Sequence, residues 1–368
     1  MGEQIQPKVE LETEEPPVAG GETENFFEGT EKLLEIWFDS ADPDHSLRLI
    51  PREQLDKICE LAKCEIISAK HNKRMSAYVL SESSLFVSDQ RLILKTCGTT
   101  RPLDALAKVL DLAREYCKQT RILNIFYSRK NFVRPDLQCD LHSNIDTECR
   151  FLDQYVQNGT AYCLGGLRTD RWYLYTMNPP QQILGSGVED HTLEVLMQEL
   201  DRNVMDIFTR ETCNTGAEAT KLSGIDKLMP RGTIIDDKLF EPCGYSMNGL
   251  IGDTDEYVTI HVTPEPQFSY VSFETNQAQS CLFSQLCGVL AVFRPTRFLM
   301  SVCANQESVS GRRAQDAIWN RQLPGYARCD LQMVMTTEYA VIYARYVADD
   351  KCGPQHDQLL ALSDMSDD

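Results

Sequence analysis

The chain has 368 residues, 42% hydrophobic and 25% charged, which is ordinary globular usage and excludes a wholly disordered, collagen-like or coiled-coil protein. Its 55 acidic and 36 basic side chains leave a formal charge of −19, a surface that repels phosphate backbones; small cations and cationic metabolites suit it better than nucleic acid. The 14 cysteines are scattered without a C-x-x-C, so neither a zinc cage nor a redox pair is expected, and the chain reads as cytoplasmic with reduced thiols.

Residues 1–24 carry many glutamates and few apolar side chains, too little to offset the entropy of ordering, and are expected to be a disordered acidic tail with no secretory signal. Asn25–Phe38 places Glu28, Glu31 and Glu35 at helical spacing, as an acidic stripe would be. On residue types alone such a stripe is more often a solvated face. Ala77–Leu80 and Leu85–Cys97 read as strand, with Ser88-Asp89-Gln90 as a turn, and Arg101–Cys117 follows with leucines at helical spacing. Ile122–Tyr127 reads as another strand. Tyr257–Thr263 and Gln267–Glu274 are two strands parted by Pro264-Glu265-Pro266, followed by a helix over about Gln277–Phe293 and a strand at Phe298–Cys303. The run Cys287–Phe293 is far too short to span a membrane. The end, 349–368, reads as a second acidic, solvated tail. Strand, strand, helix, strand thus occurs in both halves, and hairpins point to antiparallel sheets with one buried face each. The expectation is one α+β domain over 25–348, a four-layer αββα sandwich of two antiparallel sheets with helices on the outer faces.

Familiar catalytic signatures are missing. There is no G-x-x-x-x-G-K-[ST], no H-E-x-x-H and no G-x-S-x-G, and GSGVED around Gly185 lacks the third glycine of a dinucleotide loop. Six dispersed histidines suggest no metal site. What remains is local. SESS at Ser81–Ser84 is a polar break more often found in a plain β-bend. PCGYSMNG at Pro242–Gly249 is a glycine-bearing loop. His261 alternates with Val258, Ile260 and Val262 in a strand. Cys97, taken alone, is more often a small buried hydrophobe than a catalyst.

Taken in order, FFEGTEKLLEIWF, YVLSESSLFVS, LILKTCGTT, FEPCGYSMNG and YVTIHVTPEPQFSYVSFETN resemble the signature segments of eukaryotic S-adenosylmethionine decarboxylase of the animal type, over roughly residues 25–345. Composition and spacing alone did not give this family. The resemblance implies a proenzyme that cuts itself between Glu82 and Ser83, leaving a β-chain 1–82 and an α-chain 83–368 that starts with a pyruvoyl group made from Ser83. Ser246 and His261 match residues that assist the cut. His261 suits removal of a Cα proton, and Ser246 suits a hydrogen bond to the oxyanion. The pyruvoyl carbonyl would form a Schiff base with the substrate amine and serve as electron sink. Cys97 matches the general acid that protonates the product carbon, and Glu28 and Glu31 match acidic residues near the reacting centre. Phe27 and Phe240 match an adenine sandwich, Glu265 the ribose-binding carboxylate, and Leu80 and Glu82 lie beside that pocket. Glu35, Asp190, Thr192, Glu194 and Glu274 match an acidic site for the activator putrescine. Lys95, Ser128 and Arg129 match the residues that link it to the catalytic centre. Tyr339 supplies one aromatic of that site, whereas Cys303 stands where the family has another. The resemblance also implies S-adenosylmethionine as substrate, spermidine and spermine biosynthesis as the setting, a homodimer of cleaved protomers, and no metal or membrane. The other readings are a non-catalytic paralogue that activates a partner, distinguished by a lost cleavage motif, and an acidic interaction module.

Overall fold

The computed structural model describes residues 26–39, 43–119, 121–178, 189–278, 282–349 and 355–363. The expected tail 1–24 and residues 185–188 of GSGVED lie outside them.

Among the described residues, sixteen strands form two sheets. The first holds β1 (Lys32–Phe38), β2 (Ile66–His71), β3 (Met75–Leu80), β4 (Ser83–Ser88), β5 (Arg91–Thr96), β6 (Ile122–Lys130), β7 (Gly159–Leu164) and β8 (Trp172–Met177). The second holds β9 (His191–Leu200), β10 (Ile234–Leu239), β11 (Tyr245–Leu250), β12 (Tyr257–Thr263), β13 (Tyr270–Thr275), β14 (Pro295–Asn305), β15 (Tyr326–Met335) and β16 (Tyr339–Ala348). Their orders are β2-β3-β4-β5-β1-β6-β8-β7 and β10-β11-β12-β13-β9-β14-β16-β15, the same path traced twice, which is the internal echo of the sequence made physical. Every pairing is antiparallel, as the hairpin pattern implied.

Helices close both outer faces. On the first sheet Leu34, Ile36 and Phe38 pack against α1 (Arg52–Ala62) and α2 (Leu106–Cys117), with α3 (Ile145–Leu152) beside them. α1 buries Leu55, Ile58, Cys59 and Ala62, one stripe at three- and four-residue spacing, and ends where Lys63 turns left-handed. The chain then runs through the short α4 (Arg202–Met205) and α5 (Gly216–Ser223). α6 (Leu282–Phe293) and α7 (Val309–Asn320) cover Val195 and Met197 of the second sheet. Apolar side chains fill two parts of the space between the sheets: Phe126, Trp172 and Leu174 against Leu196 and Tyr343, and Phe86 and Ile93 against Leu250 and Tyr257. The expected αββα sandwich is therefore present.

Three expectations change. The acidic stripe of Glu28, Glu31 and Glu35 is no helix: Lys32–Phe38 is a central strand of its sheet, because its alternating apolar residues are needed by the outer core, and Glu35 points with Leu33 into the sandwich. Leu85–Cys97 is not one run of strand: the expected Ser88-Asp89-Gln90 turn falls inside it and parts Ser83–Ser88 from Arg91–Thr96. The supposed solvated end contains α8 (His356–Ser363), whose Leu359 is fully buried in the core that α6 supplies. No helix among the described residues is long and apolar enough to cross a membrane.

Candidate active site

β3 and β4 are joined by only two residues, Ser81 and Glu82, with Leu80 paired to Ser83 across the hairpin. Strand alternation would send Ser83 outward with Leu85 and Val87, which lie in the outer core. Instead Ser83 has φ of 107°, a region that side-chain-bearing residues rarely enter, and its buried hydroxyl donates to Glu31 Oε1 at 3.0 Å. The carbonyl that precedes it, Glu82 O, accepts the Cys97 N–H at 3.3 Å. β5, whose end brings Cys97, thus lies next to the turn, and β1, whose start brings Glu31, lies beyond it.

The opposite sheet brings His261 to the same carboxylate. Its Nδ1 lies 2.5 Å from Glu31 Oε1, and its Nε2 lies 2.8 Å from Ser84 Oγ. Ser84 also donates to Asn248 Oδ1, and Ser272 Oγ lies 3.3 Å from Nδ1, so the ring is held from both edges. Ser246 is the cross-strand neighbour of His261 and lines the same cleft. Burial alone would raise the Glu31 carboxyl, but Lys95 and His261 outweigh it and bring it down to about 2. The Cys97 thiol is pushed well above its ordinary value, by burial first and then by Glu82 and Glu31, which keeps it a protonated donor.

The cleft, about 350 Å³, is lined by Phe27, Phe240 and Glu265 among others. Glu265 Oε2 has no hydrogen-bond partner among the described residues, so this carboxylate is available to a ligand's hydroxyls. Two expected residues stand elsewhere. Leu80 is fully buried in the outer core and does not line the cleft, because the hairpin places it on the helix side. The Glu28 carboxylate accepts the N–H groups of Val133 and Arg134 at 2.8 and 3.0 Å, so it pins the 131–137 loop rather than facing the reacting centre.

A second cavity lies deeper between the sheets, lined by Glu35, Asp190, Thr192, Glu194, Glu274 and Cys303 among others. Lys95 joins it to the cleft: its ammonium meets Glu274 at 2.7 Å, Glu194 at 2.9 Å and Glu31 at 3.4 Å. Tyr257 donates to Glu274, Trp172 Nε1 to Glu194, and Tyr339 to Asp190. Arg91, stacked 4.6 Å over Trp37, approaches Glu35 and Asp190 only to 3.7 and 3.9 Å. Five buried or nearly buried carboxylates against Lys95 and Arg91 leave excess negative charge. Burial, with Asp190 and Glu274, accordingly raises Glu35 to about 7 despite Arg91. Ser128 faces this cavity, whereas Arg129 lies on the other face of β6 and pairs with Glu148 at 2.8 Å. Sequence reasoning missed Ser84, Asn248, Arg91, Trp172 and Tyr257. Arg91 alternates with Lys95, Asn248 with Ser246 and Tyr257 with His261, whereas Ser84 and Trp172 carried no such signal.

The sequence and the fold have known counterparts. Residues 24–347 match the family model of adenosylmethionine decarboxylase. The chain belongs to the adenosylmethionine decarboxylase family. It is 50% identical over 333 residues to the S-adenosylmethionine decarboxylase proenzyme of Caenorhabditis elegans, covering 90% of each chain. It is 46% identical over 325 residues to that of Xenopus laevis, covering 88% of this chain and 95% of the relative. A crystal structure of a Trypanosoma brucei AdoMetDC-delta26 monomer superposes with a TM-score of 0.55 at 26% identity, over 72% of this chain and 99% of that one. The chain is thus a decarboxylase, a catalytic member rather than a non-catalytic partner.

Proposed function

We propose that the chain cuts itself between Glu82 and Ser83, then converts S-adenosylmethionine to S-adenosylmethioninamine and CO2, for the biosynthesis of spermidine and spermine in the cytoplasm. The observation that carries this reading is the strained, inward-turned Ser83. Glu31 holds the hydroxyl whose Oγ attacks the Glu82 carbonyl carbon. Attack there moves the acyl group from nitrogen to oxygen, and the Cys97 N–H already faces the oxygen that gathers charge. Ser246, which lines the same cleft, would be a second donor for that oxygen. His261, held by Glu31, takes the Cα proton of residue 83; the ester C–O bond breaks, Glu82 leaves as a free carboxylate, and water releases ammonia from the dehydroalanine. The pyruvoyl carbonyl left at position 83 supplies an electrophile for the substrate amine and takes up the electron pair released with CO2. Phe27 and Phe240 hold the adenine and neighbouring sulfonium, and Glu265 accepts from the ribose hydroxyls. Cys97 delivers a proton to the substrate carbon.

The deeper cavity fits a dication of putrescine's chemistry, with Glu35, Asp190, Glu194 and Glu274 as counter-charges and Thr192 as a polar contact. Lys95 and Glu31 carry its influence to the cleft. The partner we propose is a second copy of this chain. β7 and β15 end their sheets side by side, with Gln332 bonded to the Gly165 N–H, and leave two open edges with Met333 and Met335 exposed. The reading is tested with carboxyl-labelled S-adenosylmethionine. The native protein releases labelled CO2, whereas Ser83→Ala remains one polypeptide and releases none. Normal turnover by that variant would refute the pyruvoyl route.

A further inference from the structure

Lys32 is fully buried on the helix side of β1, in line with Leu34 and Ile36, a place where an ammonium ion is costly. Its partners are neutral: Nζ donates to the Gly98 carbonyl at 3.0 Å and to Gln138 Oε1 at 3.2 Å, and lies 5.1 Å from the Phe132 ring centroid. Gly98 directly follows Cys97. Its carbonyl also accepts from Gln138 Nε2 at 3.2 Å, and its N–H donates to Glu28 O at 2.8 Å. Gly98 itself has φ of 62°, and a Cβ there would meet the Phe27 ring at 3.1 Å. The turn that carries the thiol is therefore clamped from behind, and its conformation is coupled to the adenine-facing wall.

We propose that Lys32 is a positioning residue for proton donation by Cys97, fixing the Cys97-Gly98 turn through the Gly98 carbonyl and supplying the positive charge that balances the thiolate left behind. This rests on Cys97 being the proton donor. When the S–H bond breaks and the new C–H bond forms, the sulfur keeps the electron pair, and the anion then stands near Glu82 and Glu31, neither of which favours it. Lys32 is the cation that opposes them. The influence is mutual: burial draws Lys32 down to about 8, while Cys97, Glu148 and Glu28 hold it up against Arg129. A hydrogen bond to a carbonyl could be made by a neutral side chain; a buried charge needs a reason, and the departing proton supplies one.

The test reads the thiol directly. Full-length protein is alkylated with iodoacetamide from pH 7 to 9, and modification of Cys97 is followed by peptide mass spectrometry, with exposed Cys163 as internal control. Lys32→Gln keeps a donor for Gly98 but removes the charge. It should slow Cys97 alkylation by about tenfold at each pH, the effect of one unit in the thiol's titration, leave Cys163 unchanged, and lower kcat more than it raises KM. Lys32→Arg should restore the alkylation rate to near that of the native protein. If Lys32→Gln does not fold, Lys32→Met is read the same way. A Cys97 profile unchanged in whichever neutral variant folds overturns the proposal. Failure of the proton-donor reading is separable: Cys97→Ala would then retain its kinetics whatever the alkylation shows.

Discussion

Ser83 sits where its own strand would turn it outward, and the left-handed φ that turns it inward stores strain of about 1–3 kcal/mol. Such strain persists only where surroundings enforce it, here the two-residue hairpin and the Glu31 carboxylate, and scission of the preceding bond relieves it. Cys97 is kept protonated by burial and carboxylate neighbours. Cys97→Ala should still be cut, at least in part, but turnover should fall by about 10²–10⁴ or divert to protonation at the pyruvoyl-derived carbon, leaving an alanine terminus; unchanged kinetics would remove the thiol from the mechanism. Glu35 carries the clearest pH signature. Its carboxyl is raised from 4.5 to about 7, so its contribution to stability is complete below pH 4.5 and is lost as pH rises through 7. A dication favours the ionised form. The rise in melting temperature caused by putrescine should therefore be larger at pH 8 than at pH 6, and Glu35→Gln should flatten that difference; a pH-independent shift in the native protein would contradict the assignment.

At the scale of elements, hairpins and outer helices were legible because strand and helix periods differ and both faces of each element had work to do. β12 and β13 follow from the alternation around His261 and from the proline pair between them. The central strand β1 was misread, since Glu28, Glu31 and Glu35 fit a helical face by spacing, and only tertiary pairing with β5 and β6 decides otherwise. The residues of the site came from the resemblance of five blocks, not from pattern. Alternation alone could name neither the Ser84–Asn248 support of His261 nor the outward placement of Leu80. α8 was hidden by the acidic residues around it, although Leu359 is its anchor in the core. Leu359→Ala should cost about 2–5 kcal/mol of unfolding free energy, read by chemical denaturation, without slowing self-cleavage. A stability equal to that of the native protein would show that α8 is not held by this contact.

Across the whole molecule, one sheet path is repeated and the copies face each other, and their polar residues meet in the middle. The first copy brings Glu31, Ser83, Lys95 and Cys97; the second brings Ser246, His261, Glu194 and Glu274. Neither half holds the site alone. Charge is distributed to match: apolar packing at both ends of the interlayer space, and between them two ionic groups, Arg91 facing Glu35 and Asp190, and Lys95 held by Glu194, Glu274 and Glu31. Twelve cysteines are unpaired among the described residues, consistent with packing and charge, not disulfides, as what joins the layers. The account depends above all on the bond between Glu82 and Ser83, and intact-mass spectrometry of the purified protein tests it most directly. The masses of residues 1–82 and of 83–368 with a pyruvoyl in place of the first serine are the predicted result. One unbroken polypeptide, or a second chain that begins with an unmodified serine, would contradict it.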